Sequence, residues 1–241
     1  MLVKLENPVV LSKVVDIISE LVAEVRIKVG EFGMSITAVD PANVAMIGFK
    51  LPRIAFSQFE VGSETLGVNL DNLKKILKRC GSGSALILSK QENTLEIQII
   101  DRVKRTFKLG LIDIDKEEKE MPSLEFASKI ELGSVDFIAS IEDCGIVSDS
   151  CGFAVDENKF IIESKGLNSA RSEFSGDEAK IDGENCKVKY SLEYLQKFIK
   201  ASKLSEKTSL KFATDHPLRM DVRTDHIELS FILAPRVETD D

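Results

Sequence analysis

The sequence is poor in the residues that most often carry chemistry. Its 241 residues include only two histidines, His216 and His226, and four cysteines, Cys80, Cys144, Cys151 and Cys186. The cysteines form no CxxC pair and have only those two histidines for company. That excludes a regular zinc site and points to buried, reduced thiols rather than a catalytic one. There is no GxSxG, HExxH or P-loop, and no GxGxxG in a strand-to-helix setting, so the common hydrolase and nucleotide-binding chemistries have no foothold. The acids Asp113, Asp115, Glu117, Glu118 and Glu120 lack the ligand spacing and glycine of a calcium loop and read as a solvated stretch. Expected, then, is a chain that is not an enzyme and holds no metal or cofactor. No apolar run approaches the roughly 18 residues of a membrane span. The opening MLVKLENPVV has no signal-peptide apolar region, so a cytoplasmic location without a membrane partner is expected.

What is present is a large apolar fraction, 43%, and a net charge of −8. The first is enough for one large or two ordinary domains with their own cores. The second weighs against ordinary tight nucleic-acid binding, for which a basic domain is expected. Against that acidic background stands LDNLKKILKR, Leu70 to Arg79. Leu70, Leu73, Ile76 and Leu77 fall on one stripe of a helix, and Lys75 and Lys78 sit on the opposite face. The same spacing returns 122 residues later in Leu192, Leu195, Phe198 and Ile199, with Lys197 and Lys200 repeating the basic positions. One such helix reads as an ordinary amphipathic surface helix. Its recurrence at a fixed offset suggests a duplicated unit.

The surrounding pattern supports duplication. Leu2 to Leu5 suggests a strand. Asn7-Pro8 opens a helix through Leu11, Val14, Val15, Ile18, Leu21 and Val22. Strands are expected at Val25–Val29, Met34–Ala38 and Val44–Leu51, with a possible one at Thr65–Val68. After the lysine helix come strands at Ala85–Leu88, Leu95–Ile99 and Thr106–Leu111. The stretch from Ile114 to Ser128, rich in acids and carrying Pro122, reads as an external connector that buries little apolar surface. Then a helix from Gly133 to Cys144, strands at Ile146–Val155, Phe160–Ser164, Ser169–Phe174 and Val188–Tyr190, the second lysine helix, and strands at Leu210–Ala213, Leu218–Val222 and Ile227–Leu233 repeat the order. The fold class is α+β: two topologically similar domains, residues 1–113 and 129–241, each a β-α-βββ unit with further elements, joined by a linker over 114–128. Two non-enzymatic readings follow: a scaffold that encircles or lies along nucleic acid, or a structural subunit of a cytosolic complex. The recurrent lysine face favours the first.

Four segments resemble the DNA sliding clamp of archaea and eukaryotes, the proliferating cell nuclear antigen family. They are GMSITAVDPANVAMIGFKLP (Gly33 to Pro52), LGVNLDNLKKILKR (Leu66 to Arg79), LIDID (Leu111 to Asp115) and ILAPR (Ile232 to Arg236). The resemblance runs over essentially the whole chain. It implies a ring of three protomers, identical or mixed with paralogues, with helices lining the hole and sheets outside. It further implies a processivity factor without catalytic activity, opened by an ATP-driven clamp loader, that tethers DNA polymerase, flap endonuclease, ligase and repair proteins through short peptide motifs. The acidic surface and the lack of an extended tail suggest an archaeal, nucleoid-associated clamp.

By position, the resemblance implies that Lys13, Lys75, Lys78, Lys197 and Lys200 line the hole, with Lys74 and Lys203 beside them. Three chains at −8 each carry −24 in all, so only a basic inner face would let such a ring hold double-stranded DNA. Loose phosphate contacts without base readout are what sliding requires. The helix from Gly133 to Cys144 departs from this in having no basic residue, as does Glu193, which stands where relatives can carry arginine. The partner-peptide groove implied by the resemblance comprises Val39, Asn43, Val44, Met46, Met121, Pro122, Pro217, Leu233, Ala234 and Pro235. Lys119 and Glu120 make its rim more polar than in relatives. The subunit contact implied is between edge strands Thr106–Leu111 and Ser169–Phe174, with Phe107, Leu109, Arg171 and Phe174 in it and Arg79 and Arg105 facing Glu142 and Asp143.

Overall fold

The computed structural model describes residues 1–115 and 119–236, so Glu117 and Glu118 of the acidic stretch lie outside the described residues. The chain divides into two compact units. The first comprises Met1–Pro41, Ile47–Met121 and Asp225–Ile227, the second Ala42–Met46, Pro122–Thr224 and the residues from Glu228 onward.

The first unit begins with β1 (Leu2–Leu5) and α1 (Val9–Ile18). The cap position falls on Pro8 rather than Asn7, and the Pro8 carbonyl accepts the Ser12 N–H at 2.9 Å. A proline there loses nothing, because the first N–H groups of a helix have no intrahelical acceptor. The apolar period predicts a helix to Val22, but α1 stops at Ile18. Glu20 and Leu21 donate to the carbonyls of Ile17 and Ile18, a tightened last turn. Leu21 and Val22 are buried beyond the helix, which is why the pattern overran it.

Next come β2 (Glu24–Gly30), β3 (Gly33–Val39) and β4 (Ala45–Pro52), a single 3-10 turn at Arg53–Ala55, then β5 (Gln58–Glu60), β6 (Glu64–Asn69), α2 (Leu70–Leu77), β7 (Ala85–Gln91), β8 (Thr94–Ile100) and β9 (Lys104–Gly110). The strands run β5-β1-β7-β8-β9 in one antiparallel sheet and β4-β3-β2-β6 in the other. Alternation sets the register. Val25, Ile27 and Val29 point inward, with Ile27 opposite Ile36 and Leu66. Gly33 closes the β2–β3 turn with φ +129°, and a Cβ there would stand 2.2 Å from the Leu51 carbonyl oxygen, so only glycine fits.

The 3-10 turn and β5 occupy the connector that the pattern leaves unassigned. β5 has three residues and pairs only with β1, too short for periodicity to register. The connector after β9 is also less free than its composition suggests. Ile112 donates to the Gly67 carbonyl at 2.9 Å, the Arg26 guanidinium donates to the Ile114 carbonyl, and Ile114 is buried.

The second unit contains β10 (Ser128–Gly133), α3 (Ser134–Val147), β11 (Ser150–Asp156), β12 (Lys159–Lys165), β13 (Ser169–Phe174), β14 (Ala179–Gly183), β15 (Cys186–Ser191), α4 (Leu192–Ser202), β16 (Lys207–Phe212), β17 (Leu218–Arg223) and β18 (Glu228–Leu233). Strands β13-β12-β11-β15 form one antiparallel sheet and β14-β10-β16-β17-β18 pair in that order in another. β10 and β14 lie outside the strands that the pattern predicts: β10 buries only Ile130 and Leu132 among its apolar side chains, and β14 only Ala179, with Ile181 half-buried. The strand expected from Ile146 starts at Ser150, since α3 continues to Val147 and Ser148 still donates to the Cys144 carbonyl at 3.2 Å.

The two units are duplicates with different cores. That of the first is mostly aliphatic, whereas in the second Phe153 touches Phe160, Tyr190 and Phe212 with ring centroids 5.5–5.9 Å apart. Such rings add edge-to-face attraction to their area burial. The hydroxyls of Ser134, Thr208 and Ser202 satisfy one another at 2.9 Å, so this buried polar cluster leaves no orphan.

Candidate nucleic-acid interface

In each unit two helices pack side by side, α1 with α2 and α3 with α4. Helix α2 starts where Asn69 accepts the Asn72 N–H at 3.1 Å, an N-cap in extended conformation. Leu70, Leu73 and Leu77 are buried and Ile76 is half-buried. Burying each leucine contributes about 1.5–3 kcal/mol, which holds the apolar stripe inward and leaves the lysines outside. In α4 all four counterparts are buried, and Phe198 lies 4.6 Å from Phe231. Lys74 and Lys75 occupy the last turn of α2 and Lys200 that of α4, where a cation complements the helix dipole. Lys78 and Lys203 stand at the C-caps and Arg79 just beyond α2.

The basic residues differ in what holds them. Lys13 and Lys75 are exposed. Lys74 lies 2.7 Å and Lys78 3.1 Å from Asp16 of α1, and Lys74 also donates to Ser19 Oγ at 3.1 Å. Partial burial pushes the Asp16 carboxyl up, but the bonds from Lys74 and Lys78 outweigh it and hold the group below the usual carboxylate range. Lys197 pairs with Glu193 at 2.8 Å and lies over the Tyr194 ring at 5.0 Å; Lys200 and Lys203 are exposed. Helix α3 carries Asp136, Glu142 and Asp143 and no cation.

Of the groove residues, Val44 accepts the Ala234 N–H through its carbonyl at 2.9 Å, which sets the strand-like segment after β18 beside Ala42–Met46. Val44, Met46, Ala234, Pro235 and Pro217 are half-buried, Asn43 and Pro122 exposed. Leu233 is wholly buried, so its side chain serves the core and only its backbone lies at the surface segment. In the first unit Val39 is half-buried, and Met121 packs so close to Gly48 that a Cβ there would meet its Cγ at 3.0 Å.

The contact of Phe126 with His216 is not legible in the sequence. The rings meet edge to face at 5.5 Å next to Pro217, and the His216 carbonyl accepts the Tyr190 hydroxyl at 2.8 Å. A lone phenylalanine in an acidic stretch was the available signal. It borders a cavity of about 430 Å³ that Leu124, Lys129, Lys211 and Arg219 help to line.

β9 and β13 each terminate a sheet, leaving one row of backbone groups without a strand partner among the described residues. Phe107 is half-buried, Leu109 and Phe174 are buried, and Phe174 stacks on Phe160 at 5.8 Å. The arginines already have internal partners. Arg105 bonds Asp101 and the Arg79 carbonyl, and Arg171 bonds Glu163 at 2.9 Å and Glu173 at 2.7 Å. Arg79, Glu142 and Asp143 are exposed. Of the cysteines, Cys144 and Cys151 touch each other, and that contact together with burial pushes the Cys151 thiol far up, as expected of an inert core thiol.

Comparison with known proteins places the whole chain. The N-terminal domain of proliferating cell nuclear antigen matches residues 1–118 and the C-terminal domain of the same antigen residues 120–237. The DNA polymerase sliding clamp of Thermococcus gammatolerans is 39% identical over 229 residues, 91% of this chain and 92% of its own length. That of Pyrococcus furiosus is 37% identical over 236 residues, covering 94% of each. In fold, the chain superposes on the proliferating cellular nuclear antigen of Entamoeba histolytica with a TM-score of 0.91 over 98% of both chains, at 24% identity. With two family domains covering nearly every residue in the expected order, the chain belongs to the proliferating cell nuclear antigen family.

Proposed function

We propose that this chain is the protomer of a DNA sliding clamp, a ring that encircles duplex DNA and keeps DNA polymerase on its template. The observation that carries the reading is the recurrence, in both units of an acidic chain, of a helix with buried leucines and exposed lysines. Relatives named DNA polymerase sliding clamp share more than nine-tenths of its length. A chain of net charge −8 does not hold DNA by bulk attraction; it needs its cations gathered on one face and the DNA enclosed.

In this reading residues 1–113 and 129–241 are the clamp domains and 114–128 their connector. Three protomers, identical or paralogous, join β9 of one to β13 of the next through Arg105, Phe107 and Leu109 on one side and Arg171 and Phe174 on the other. Arg79 of one protomer then faces Glu142 and Asp143 of its neighbour. Lys13, Lys74, Lys75, Lys78, Lys197, Lys200 and Lys203 line the hole and touch phosphate without reading bases. Polymerase, clamp loader, flap endonuclease and ligase dock short peptides against Val39, Asn43, Val44, Met46, Met121, Pro122, Pro217 and the Leu233–Pro235 segment. The clamp works by binding alone, in the cytoplasm beside the nucleoid.

The test is light scattering coupled to size exclusion on the purified chain, alone and with paralogous subunits, followed by retention on nicked circular DNA. A trimer that stays on circles and runs off when they are linearised is expected. A monomer that never loads with any partner leaves only a structural role in a larger complex.

A further inference from the structure

The four lining lysines of the first unit fall into two classes. Lys13 and Lys75 have no acidic partner among the described residues, whereas Lys74 and Lys78, one helical turn apart, share the carboxylate of Asp16. Asp16 sits on α1 and reaches α2 from the side, so it competes for the same ammonium groups that a phosphate would take. It is itself 40% exposed, and Lys78 55%. A pair as open as that of Lys78 is weak and exchanges readily with other anions, whereas Lys74, 25% exposed and bonded also to Ser19 Oγ, is held more firmly and yields second. One carboxylate between two ammonium groups leaves a net positive charge that still attracts phosphate. Releasing one lysine leaves the carboxylate paired to the other, so Asp16 is never stranded during the exchange.

We propose that Asp16 is a built-in competitor for DNA phosphate, holding Lys74 and Lys78 when no phosphate is near and yielding them one at a time as the backbone passes. The proposal rests on the sliding-clamp reading and deepens it. It explains how Lys74, Lys75, Lys78 and Arg79, four cations within six residues at the end of α2, avoid gripping the duplex. The free lysines keep the DNA centred, and the tethered pair prevents the full set from engaging at once.

The test measures binding of a fluorescent duplex of about 30 base pairs by anisotropy, between about 50 and 200 mM potassium chloride. The full-length chain is compared with Asp16→Asn, Asp16→Ala, Lys74→Met/Lys78→Met and that pair combined with Asp16→Asn. Both Asp16 variants should bind about three- to tenfold tighter at low salt. Their log–log salt dependence should steepen by about 0.9 for each added phosphate contact. In the Lys74→Met/Lys78→Met background Asp16→Asn should change affinity less than about twofold. An equal gain in both backgrounds makes Asp16 merely one negative charge among many and overturns the proposal. So does a fall in melting temperature with unchanged DNA affinity, since Asp16 is then only a tie between two helices. Lys75→Ala in the same assay separates the two readings. If it leaves binding unchanged, the lining itself is wrong; if it weakens binding while the Asp16 variants gain nothing, only this inference fails.

Discussion

The Val44 carbonyl accepts the Ala234 N–H at 2.9 Å, fastening the chain's last described segment beside the loop that precedes β4. This bond holds Met46, Ala234 and Pro235 half-buried but open to a partner, while Leu233 anchors the segment from within. Short-peptide docking concentrates its energy in a few buried anchors. Met46→Glu or Pro235→Glu should therefore set an unpaired charge against the apolar anchors of a client peptide and weaken its binding at least about thirtyfold, a cost of about 2 kcal/mol or more. Calorimetry with the C-terminal peptide of a client checks this. Equal affinity for Met46→Glu and the parent chain puts the client site elsewhere. Glu118→Ala, at a position outside the described residues, should change little; a large loss would indicate a charged connector contact.

Replacing Lys75, Lys78, Lys197 and Lys200 together by alanine should weaken DNA retention and flatten its salt dependence. Oligomeric state should not change, because these side chains stand on the exposed faces of α2 and α4. Normal polymerase stimulation by this variant at every salt concentration would remove the lysine faces from the DNA surface.

Phe107→Asp on β9 should reduce the assembly to monomers while each unit keeps its melting behaviour. A charge on an apolar edge-strand residue disfavours strand-to-strand closure more than it disturbs a half-buried side chain. Light scattering that still reports a trimer would place the subunit contact off this edge.

Glu163 on β12 is 8% exposed and bonded by Lys187 at 2.8 Å, Arg171 at 2.9 Å and Lys165 at 3.5 Å. The Lys187 bond, helped by the other cations, brings its carboxyl down to about 2. A carboxylate lowered on folding stabilises above its unfolded value, near 4.5, and loses that contribution as pH falls through about 2. Acid unfolding of the parent chain should steepen across this window. Glu163→Gln should cost about 2–3 kcal/mol at neutral pH and flatten the acid limb. Urea titrations between pH 2 and 7 give both numbers, and an unchanged acid limb would exclude Glu163 as its source.

The duplicated positions 76 and 198 should respond unequally. Phe198→Ala empties a wholly buried site against Phe231 and should cost about 3–5 kcal/mol. Ile76→Ala, at a half-buried site, should cost about half of that or less. Equal losses would mean that α2 is packed as deeply as α4.

Sequence periodicity sufficed for the duplicated α+β plan, the two lysine helices and the strands whose inward residues alternate over five positions or more, such as Val25–Val29 and Leu95–Ile99. Those elements are local: side-chain spacing dictates which face is apolar, and burial of that face does the rest. It failed at β5, which has three residues, and at β10 and β14, whose apolar side chains bury only Ile130, Leu132 and Ala179; it overran α1, where Leu21 and Val22 are buried beyond the last turn, and stopped short in α3, which continues to Val147. The candidate site divides the same way. That Lys75 and Lys197 stand opposite a leucine stripe follows from spacing along one helix. That Asp16 reaches Lys74 and Lys78, that Phe126 meets His216, and that Val44 receives Ala234 depend on segments far apart in the chain. Only the packing of α1 on α2 and the folding of distant loops and strands onto one another brings such groups into contact.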